Sequence, residues 1–318
     1  MVVRLLSCLV TIWWYVLVAL ALLYKTTVAQ QLNMKALISG GNGFIGTHLR
    51  HALKNKDVEV IAVPRETLQN PYSLNHFVLR ANPDFIFHLS AYGNHYFQTD
   101  ERQAIKTNVY GLVNLIEASR LVDYRAFVNF STTDHNLQSG SFYGSTKAAG
   151  EYLVRAYINK YDLPMVNIRP YSVYGEYEWS FRFIPTIANK IRKGEQITVS
   201  DVTHDWIYVE DFIQGLLYAV DNIDTLQGKA VSIGTGTRIN NLDVAKTLMK
   251  ITGITVAIEK GVKREYEIPA YNKKVIEKTA SEKNEVELFQ FAKTSLEEGL
   301  RKVYENPHLY LRRHGDTE

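Results

Sequence analysis

The sequence predicts an α/β protein: a doubly wound parallel sheet with a smaller C-terminal part. Three observations carry that expectation. Short apolar runs alternate with helix-period stretches from Met34 to Arg169. A glycine-rich turn joins the first run to the first helix. The chain has 318 residues, 46% hydrophobic and 22% charged, which suits one large α/β domain or two closely packed ones.

The first thirty-three residues stand apart. Arg4 and Lys25 are their only charges, and the twenty residues between, Leu5 to Tyr24, are broken only by Ser7 and Thr11. A helix of that length reaches about 30 Å, the thickness of a bilayer core. Three readings stay open: a membrane anchor over residues 5–24, a secretory signal cleaved after Ala29, and a start codon placed too early. The third fits Met34-Lys35-Ala36, which opens directly into a strand as a cytosolic chain would. The expected location is a cytoplasmic catalytic part, tethered to the membrane if residues 5–24 are an anchor.

Charge and cysteine exclude several classes. The net charge is +3, and beyond residue 33 there are 34 basic against 33 acidic side chains, so there is no electrostatic footprint for nucleic acid. Cys8 is the single cysteine and lies in the leading segment, which leaves the body without disulfides, thiolate nucleophiles or cysteine-based metal sites. His48 and His51 share a helix face without a third ligand, so no metal site is expected.

From Met34 the elements follow in order. Residues 35–39, 58–63, 85–89, 126–131 and 165–169 read as buried strands, with helices over 47–54, 108–120 and 143–161. Beyond Pro170 the alternation loosens. Helices are expected over 184–192, 209–220, 241–251 and 294–304, and a strand over 230–233. The resulting division is residues 1–33, a dinucleotide-binding core over 34–170, a mixed remainder over 171–310 that also returns elements to the core, and a polar tail over 311–318.

The glycine turn carries the first chemistry. Gly40, Gly43 and Gly46 keep a three-residue spacing, and the turn, with Phe44 and Ile45 as further cofactor-binding candidates, leads into the helix. The first glycine permits a tight turn, the second lets backbone approach a pyrophosphate, and the third lets helix pack on strand. The helix N-terminus supplies free N–H groups. This is the fingerprint of a Rossmann-type dinucleotide site, for NAD or NADP. At the end of the second strand Arg65 favours NADP through its 2′-phosphate, while Glu66 is a candidate for the ribose of NAD.

Tyr143 and Lys147 place a phenol and an ammonium one turn apart on a helix. A phenol titrates near pH 10, and a cation about 4 Å away at an effective dielectric near 20 stabilises its anion by up to roughly 4 kcal/mol. About one such pair arises by chance in a chain this rich in both residues. Position gives this one its weight: it opens a helix after the strand ending in Ser131-Thr132-Thr133.

On these motifs the chain resembles the extended short-chain dehydrogenase/reductase superfamily, in particular the NAD(P)-dependent epimerase/dehydratase family of nucleotide-sugar enzymes. The resemblance runs from about residue 35 to 305. It includes His88-Leu89-Ser90-Ala91, Asn108-Val109-Tyr110-Gly111, Arg169-Pro170-Tyr171-Ser172-Val173-Tyr174-Gly175, Asp205-Trp206-Ile207-Tyr208-Val209-Glu210-Asp211 and Ile233-Gly234-Thr235-Gly236. Thr294 to Leu300 complete it.

The resemblance implies Tyr143 as proton donor and acceptor at a sugar oxygen. Lys147 lowers its pKa and binds the nicotinamide ribose, and Thr132 holds the reacting oxygen, with Thr133 close behind. Leu89, Ser90, Ala91, Asn108 and Pro170 line the cofactor. Thr133, Ser172, Arg182, His204 and Arg264 face the substrate. It also implies pairing into a homodimer through residues 108–120 and 143–161.

Departures narrow the reaction. Dehydratases of the family carry an Asp-Glu pair after the threonine, whereas this chain has Thr133-Asp134-His135, which disfavours 4,6-dehydration. His204 stands where an arginine commonly grips the diphosphate, and Ser172 where an asparagine is common. The expected activity is therefore that of a nucleotide-sugar epimerase or 4-keto reductase. A hydroxysteroid-dehydrogenase-like oxidoreductase and a non-catalytic dinucleotide sensor are the alternatives.

Overall fold

The computed structural model describes residues 34–133, 141–261 and 286–311, together with Trp13, Val16 and Leu17; of residues 286–288 it describes the backbone. In chain order its strands are β1 (Lys35–Ser39), β2 (Glu59–Val63), β3 (Phe85–His88), β4 (Ala126–Phe130), β5 (Met165–Pro170) and β6 (Ser172–Tyr174). There follow β7 (Ile197–Ser200), β8 (Thr203–Tyr208), β9 (Ala230–Gly234), β10 (Arg238–Asn240), β11 (Ile258–Gly261) and β12 (Val286–Gln290). The helices are α1 (Phe44–Lys54), α2 (Arg65–Leu68), α3 (Pro71–Ala81), α4 (Glu101–Ile105), α5 (Gly111–Ser119) and α6 (Phe142–Tyr161). The later ones are α7 (Phe183–Arg192), α8 (Val209–Asp221), α9 (Ile223–Leu226), α10 (Asn241–Thr252) and α11 (Leu296–Glu305).

Seven strands form one sheet in the order β12-β9-β5-β4-β3-β1-β2. Every neighbouring pair is parallel. The apolar runs explain why. Consecutive residues of one strand enter two different cores: Ile38, Phe87, Val128 and Val166 join one cluster, and Leu37, Ile86, Phe127 and Met165 the other. With side chains alternating across a strand, both faces must be covered, which is the condition for a doubly wound sheet. The chain moves outward from β1 to β2, then returns to β3 on the other side of β1. That reversal opens a crevice at the carboxyl ends of β1 and β3, where such folds bind ligands.

Chain beyond Pro170 serves two ends. β9 and β12 extend the main sheet, while β10-β8-β6 form a three-stranded sheet and β11-β7 a parallel pair. Leu311 is tied to this part: its N–H donates to the Glu178 carbonyl (3.1 Å), and its own carbonyl accepts from Ser180 N–H (2.9 Å). Residues 312–318 lie outside the described residues.

Several elements differ from expectation. The helix expected from residue 108 begins at Glu101, because Asp100 caps it by accepting from Gln103 N–H; it passes through a π turn at Lys106–Tyr110 before α5. α3 was not expected, yet Asn70 caps it by accepting from Ser73 N–H, and Pro71 holds its first position. α1 begins at Phe44, directly on Gly43, and not at Thr47. α11 begins at Leu296 and not Thr294, fixed by a reciprocal capping box between Ser295 and Glu298. The short strands β6, β7, β8, β10, β11 and β12 were not foreseen. Of residues 5–24, Trp13, Val16 and Leu17 are described; they are helical and exposed. No helix among the described residues is long and apolar enough to cross a membrane.

Candidate active site

The glycine turn is shaped by backbone contacts. Gly40 has φ +76°, and a Cβ there would sit 2.8 Å from Ser90 N, so the turn lies directly on the chain leaving β3. A Cβ on Gly46 would meet Gly40 O at 2.5 Å, which seats α1 against the turn. Gly43 is different. A Cβ on it would meet only Gly40 O, at 3.4 Å, among the described atoms. It caps α1 with extended backbone; no side chain caps the helix, and no acidic residue lies in its first turn. The leading N–H groups of Phe44, Ile45 and Gly46 have no partner within the helix, at a positive helix end. The cradle fits a dinucleotide pyrophosphate.

The floor is built from β1 and β3. His88 is buried, and its Nδ1 lies 2.8 Å from Ser39 Oγ. Burial and the charge on Lys147 hold its pKa down at about 3, so the ring is neutral. Leu89, Ser90 and Ala91 follow, half-buried, at the mouth of the crevice. Arg65 and Glu66 are exposed at the start of α2, just past β2 and its partner Ser39–Val63 register with β1.

Asn108, in the π turn, is a clamp. Its Oδ1 accepts from Tyr92 N–H (2.8 Å), and its Nδ2 donates to Tyr92 O (2.8 Å) and to Thr146 Oγ1 (2.9 Å). It ties the loop after β3 to Thr146 in the second turn of α6. The π turn aims it there, a use of this geometry that recurs at functional sites.

α6 carries Tyr143 and Lys147. Ser141 caps the helix by accepting from Gly144 N–H at 3.0 Å. Lys147 is buried and its Nζ donates to the Phe130 carbonyl at 2.5 Å, the last residue of β4. Burial draws the ammonium down to about 8, with Glu151 opposing the shift. Tyr143 lies one turn earlier, half-buried, beside the loop after β3: a Cβ on Gly93 would be 3.6 Å from Tyr143 Cβ. Thr132 is buried and Thr133 half-buried, two and three residues past the carbonyl that holds Lys147. The structure thus gathers the β4 end, Lys147 and Tyr143 at the same crevice as the glycine turn.

A pair behind Lys147 was not foreseen. Glu151, one turn further along α6, accepts two bonds from Arg169 of β5: Nε to Oε1 (2.7 Å) and Nη2 to Oε2 (2.5 Å). Its four-residue spacing from Lys147 was a readable signal; Arg169, reaching from another strand, gave none.

The substrate-side residues are more dispersed. Pro170 and Ser172 are half-buried where β5 passes into β6. Arg182 is exposed, and its Nε stands 3.5 Å from Glu178, whose buried carboxyl is pushed up to about 7 by desolvation. His204 packs against Trp206 (centroids 5.1 Å apart) and is drawn down to about 4 by burial, then by Arg238 and Arg182. Asp205 accepts from Thr235 N–H (2.9 Å), Thr235 Oγ1 (2.7 Å) and Gly236 N–H (2.8 Å), which locks β8 to the turn after β9. Asp134, His135 and Arg264 lie outside the described residues. Among the described residues no group of three or more His, Cys, Asp or Glu could hold a metal ion.

Known proteins share this fold. The sequence profile of the NAD dependent epimerase/dehydratase family matches residues 36–234. The low-salt glycan biosynthesis protein Agl12 of Haloferax volcanii is 27% identical over 263 residues, covering 69% of this chain and 83% of the relative. The dTDP-glucose 4,6-dehydratase of Escherichia coli is 27% identical over 285 residues, covering 70% and 78%. In structure, the UDP-glucuronic acid 4-epimerase of Bacillus cereus, in complex with UDP-glucuronic acid and NAD, superposes with a TM-score of 0.70 at 24% identity, over 86% of this chain and 99% of that one.

Proposed function

The chain belongs to the NAD dependent epimerase/dehydratase family, and from that premise we propose that it is an NAD(P)-dependent nucleotide-sugar epimerase or 4-keto reductase. One observation carries the reading: a buried ammonium, fixed on the Phe130 carbonyl, one helical turn from Tyr143 at the mouth of the crevice above the glycine turn.

Gly40, Gly43, Phe44, Ile45 and Gly46 hold the pyrophosphate, and Leu89, Ser90, Ala91 and Pro170 line the rest of the cofactor. Bound there, the nicotinamide supplies hydride acceptance and return at a sugar carbon. Tyr143 takes the carbinol proton when the alcohol is oxidised, and returns one to the oxygen when the ketone is reduced. Lys147 stabilises the phenolate and binds the ribose hydroxyls, while Thr132 orients the reacting oxygen. Thr133, Ser172, Arg182 and His204 face the nucleotide sugar. Because Thr133-Asp134-His135 offers no adjacent carboxylate pair, water elimination is not assigned.

Arg65, exposed just beyond β2, supports NADP over NAD. Exposed apolar side chains on the α4–α5 run and on α6 (Ile105, Tyr110, Phe142 and Tyr152) support a homodimer. We infer a cytoplasmic location for the catalytic part, tethered to the membrane only if residues 5–24 are an anchor.

The test compares Tyr143→Phe with the parent full-length chain. Cofactor binding survives while turnover of a panel of UDP- and dTDP-sugars falls by orders of magnitude. Unchanged turnover removes Tyr143 from the mechanism. A parent protein that binds cofactor yet turns over no sugar is a sensor. Tightly held NAD⁺ on purification indicates the epimerase, and an empty site preferring NADPH the reductase.

A further inference from the structure

A polar seam runs beneath Lys147, on the face of the sheet that α6 covers. Side chains alternate across a strand, so Leu37 and Ser39 of β1, Ile86 and His88 of β3, and Phe127, Asn129 and Ser131 along β4 and its end share one face. A Cβ on Gly150 of α6 would lie 3.9 Å from Asn129 Nδ2, which sets that face against the helix. Most polar groups of the seam are partnered there: Ser39 with His88, Asn129 with Asn167 (2.8 Å) and Arg169 with Glu151. Two are not. His88 Nε2 and Ser131 Oγ are buried without a hydrogen-bond partner among the described residues.

The geometry turns His88 toward the ammonium. β3 lies between β1 and β4. The His88 ring is pinned through Nδ1 to Ser39 Oγ on the β1 side, so its opposite edge, with Nε2, faces β4. Ser131 N–H donates to Ile168 O of β5 (2.7 Å). The carbonyl of the same trans peptide, Phe130 O, therefore points the other way, toward β3. Lys147 Nζ sits on that carbonyl, at the gap between the β3 and β4 ends. His88 stands opposite Asn129 in the register, and Ser131 follows two residues on along the same face. After burial, the charge on Lys147 is what keeps the His88 ring neutral. A neutral ring beside a cation favours the tautomer in which Nδ1–H donates to Ser39 and the Nε2 lone pair is left toward the ammonium. An ammonium has three N–H donors, of which Phe130 O takes one. Buried polar atoms left over in this way are joined by internal water, which makes about three hydrogen bonds.

We propose that one buried water joins His88 Nε2, Ser131 Oγ and Lys147 Nζ, and that through it His88 acts as a positioning residue for the ammonium. Phe130 O and the water then take two of the three N–H groups, and the third is left for the phenol and the cofactor. The proposal rests on the reading of Lys147 as the partner of Tyr143 and adds the group that holds it. The titratable groups around the ammonium are Tyr143 and Glu151 on its own helix, His88 of β3, and Arg169 of β5, which is bound to Glu151. β1 and the β4 end bring Ser39, Ser131 and Thr132, which do not ionise.

The test reads the titration of Lys147 by NMR of isotope-labelled lysine side chains, on the full chain without cofactor; its signal is the one absent from Lys147→Met. His88→Asn keeps a polar atom near the Nδ1 position and has none at Nε2, whereas His88→Gln reaches the Nε2 position with an amide. Losing a hydrogen bond to the charged form lowers the pKa of an ammonium. His88→Asn therefore brings Lys147 down by about one pH unit, and His88→Gln stays closer to the parent. A value that holds or rises in His88→Asn, or falls equally in His88→Gln, overturns the proposal. If His88→Asn does not fold, Ser131→Ala decides: a lowered value sustains the proposal and an unchanged one overturns it. A crystal structure of the parent shows the water within about 3.2 Å of all three atoms, and a gap without it overturns the proposal. Turnover of UDP- and dTDP-sugars is read separately. Titration in the expected order by a parent protein that turns over no sugar sustains the water site and overturns the enzymatic reading instead.

Discussion

Lys147 should cost the fold stability, and replacing it should show this. Its ammonium is buried and its pKa falls from 10.5 to about 8. Between those values the folded chain binds fewer protons than the unfolded one, so stability rises with pH through that window. Below it, the charged group is opposed by a shift worth about 3 kcal/mol. Lys147→Met removes that cost together with the hydrogen bond to Phe130 O, which offsets about 1 kcal/mol. The variant should therefore be about 2 kcal/mol more stable than the parent at pH 7. By pH 9.5 the residual cost is about 1 kcal/mol, so the two proteins should converge. Other ionising groups are common to both and cancel in the difference. Urea unfolding at the two pH values, with no cofactor added so that ligand linkage stays out, reads it directly. Turnover by the same variant should be lost. A variant less stable than the parent at pH 7, or a difference that does not change with pH, would refute the account of Lys147 as a buried, charged ammonium.

Three further outcomes follow from named contacts. Glu151→Gln leaves Arg169 facing Lys147 without a carboxylate, and should cost about 3–5 kcal/mol in urea unfolding; a double-mutant cycle with Arg169→Met should recover much of that loss. The same Glu151 variant should bring the alkaline fall of activity to lower pH, since Glu151 raises the pKa of Lys147. Glu178, pushed from 4.5 up to about 7, makes the folded state lose stability as pH rises through that range; Glu178→Gln should therefore gain up to about 3 kcal/mol at pH 8 and nothing at pH 4, by thermal or urea unfolding. Gly40→Ala puts a methyl group on the Ser90 backbone at positive φ; it should cost about 2–4 kcal/mol and weaken dinucleotide binding at least tenfold by calorimetry.

What was legible in the sequence divides along a physical line. β1, β3, β4 and β5 were readable because a strand covered on both faces is mostly apolar, and such runs are local; β2, the edge strand with Glu59 and Ala62 exposed, was readable from Val58, Val60, Ile61 and Val63 and not from burial on both faces. α3 and α4 left local signals in Asn70-Pro71 and in Asp100 with Gln103, but their apolar periodicity was too weak to draw attention. β6, β8 and β10 could not be read, for strands of three to six residues are held by register with distant partners, such as Ser172 opposite Trp206. The same division runs through the site. Tyr143, Lys147 and the glycines lie on local motifs. The groups that decide how they behave do not: a main-chain carbonyl at Phe130 and the guanidinium of Arg169, reaching Glu151 from β5.

The charges around the phenol also form a sequence of dependence. Glu151 is neutralised by Arg169, and His88 is kept uncharged by burial, so Lys147 supplies the unbalanced positive charge of this cluster. A lone buried cation is unfavourable until an anion appears beside it, and in the proposed mechanism the phenolate of Tyr143 is that anion. The energy that burial withholds from Lys147 in the resting fold is thus available as stabilisation when Tyr143 ionises. Placing Arg169 on Glu151 matters for this reason. Were Glu151 left unpaired, its carboxylate would neutralise Lys147 from one turn away, and the incentive for the phenol to lose its proton would disappear.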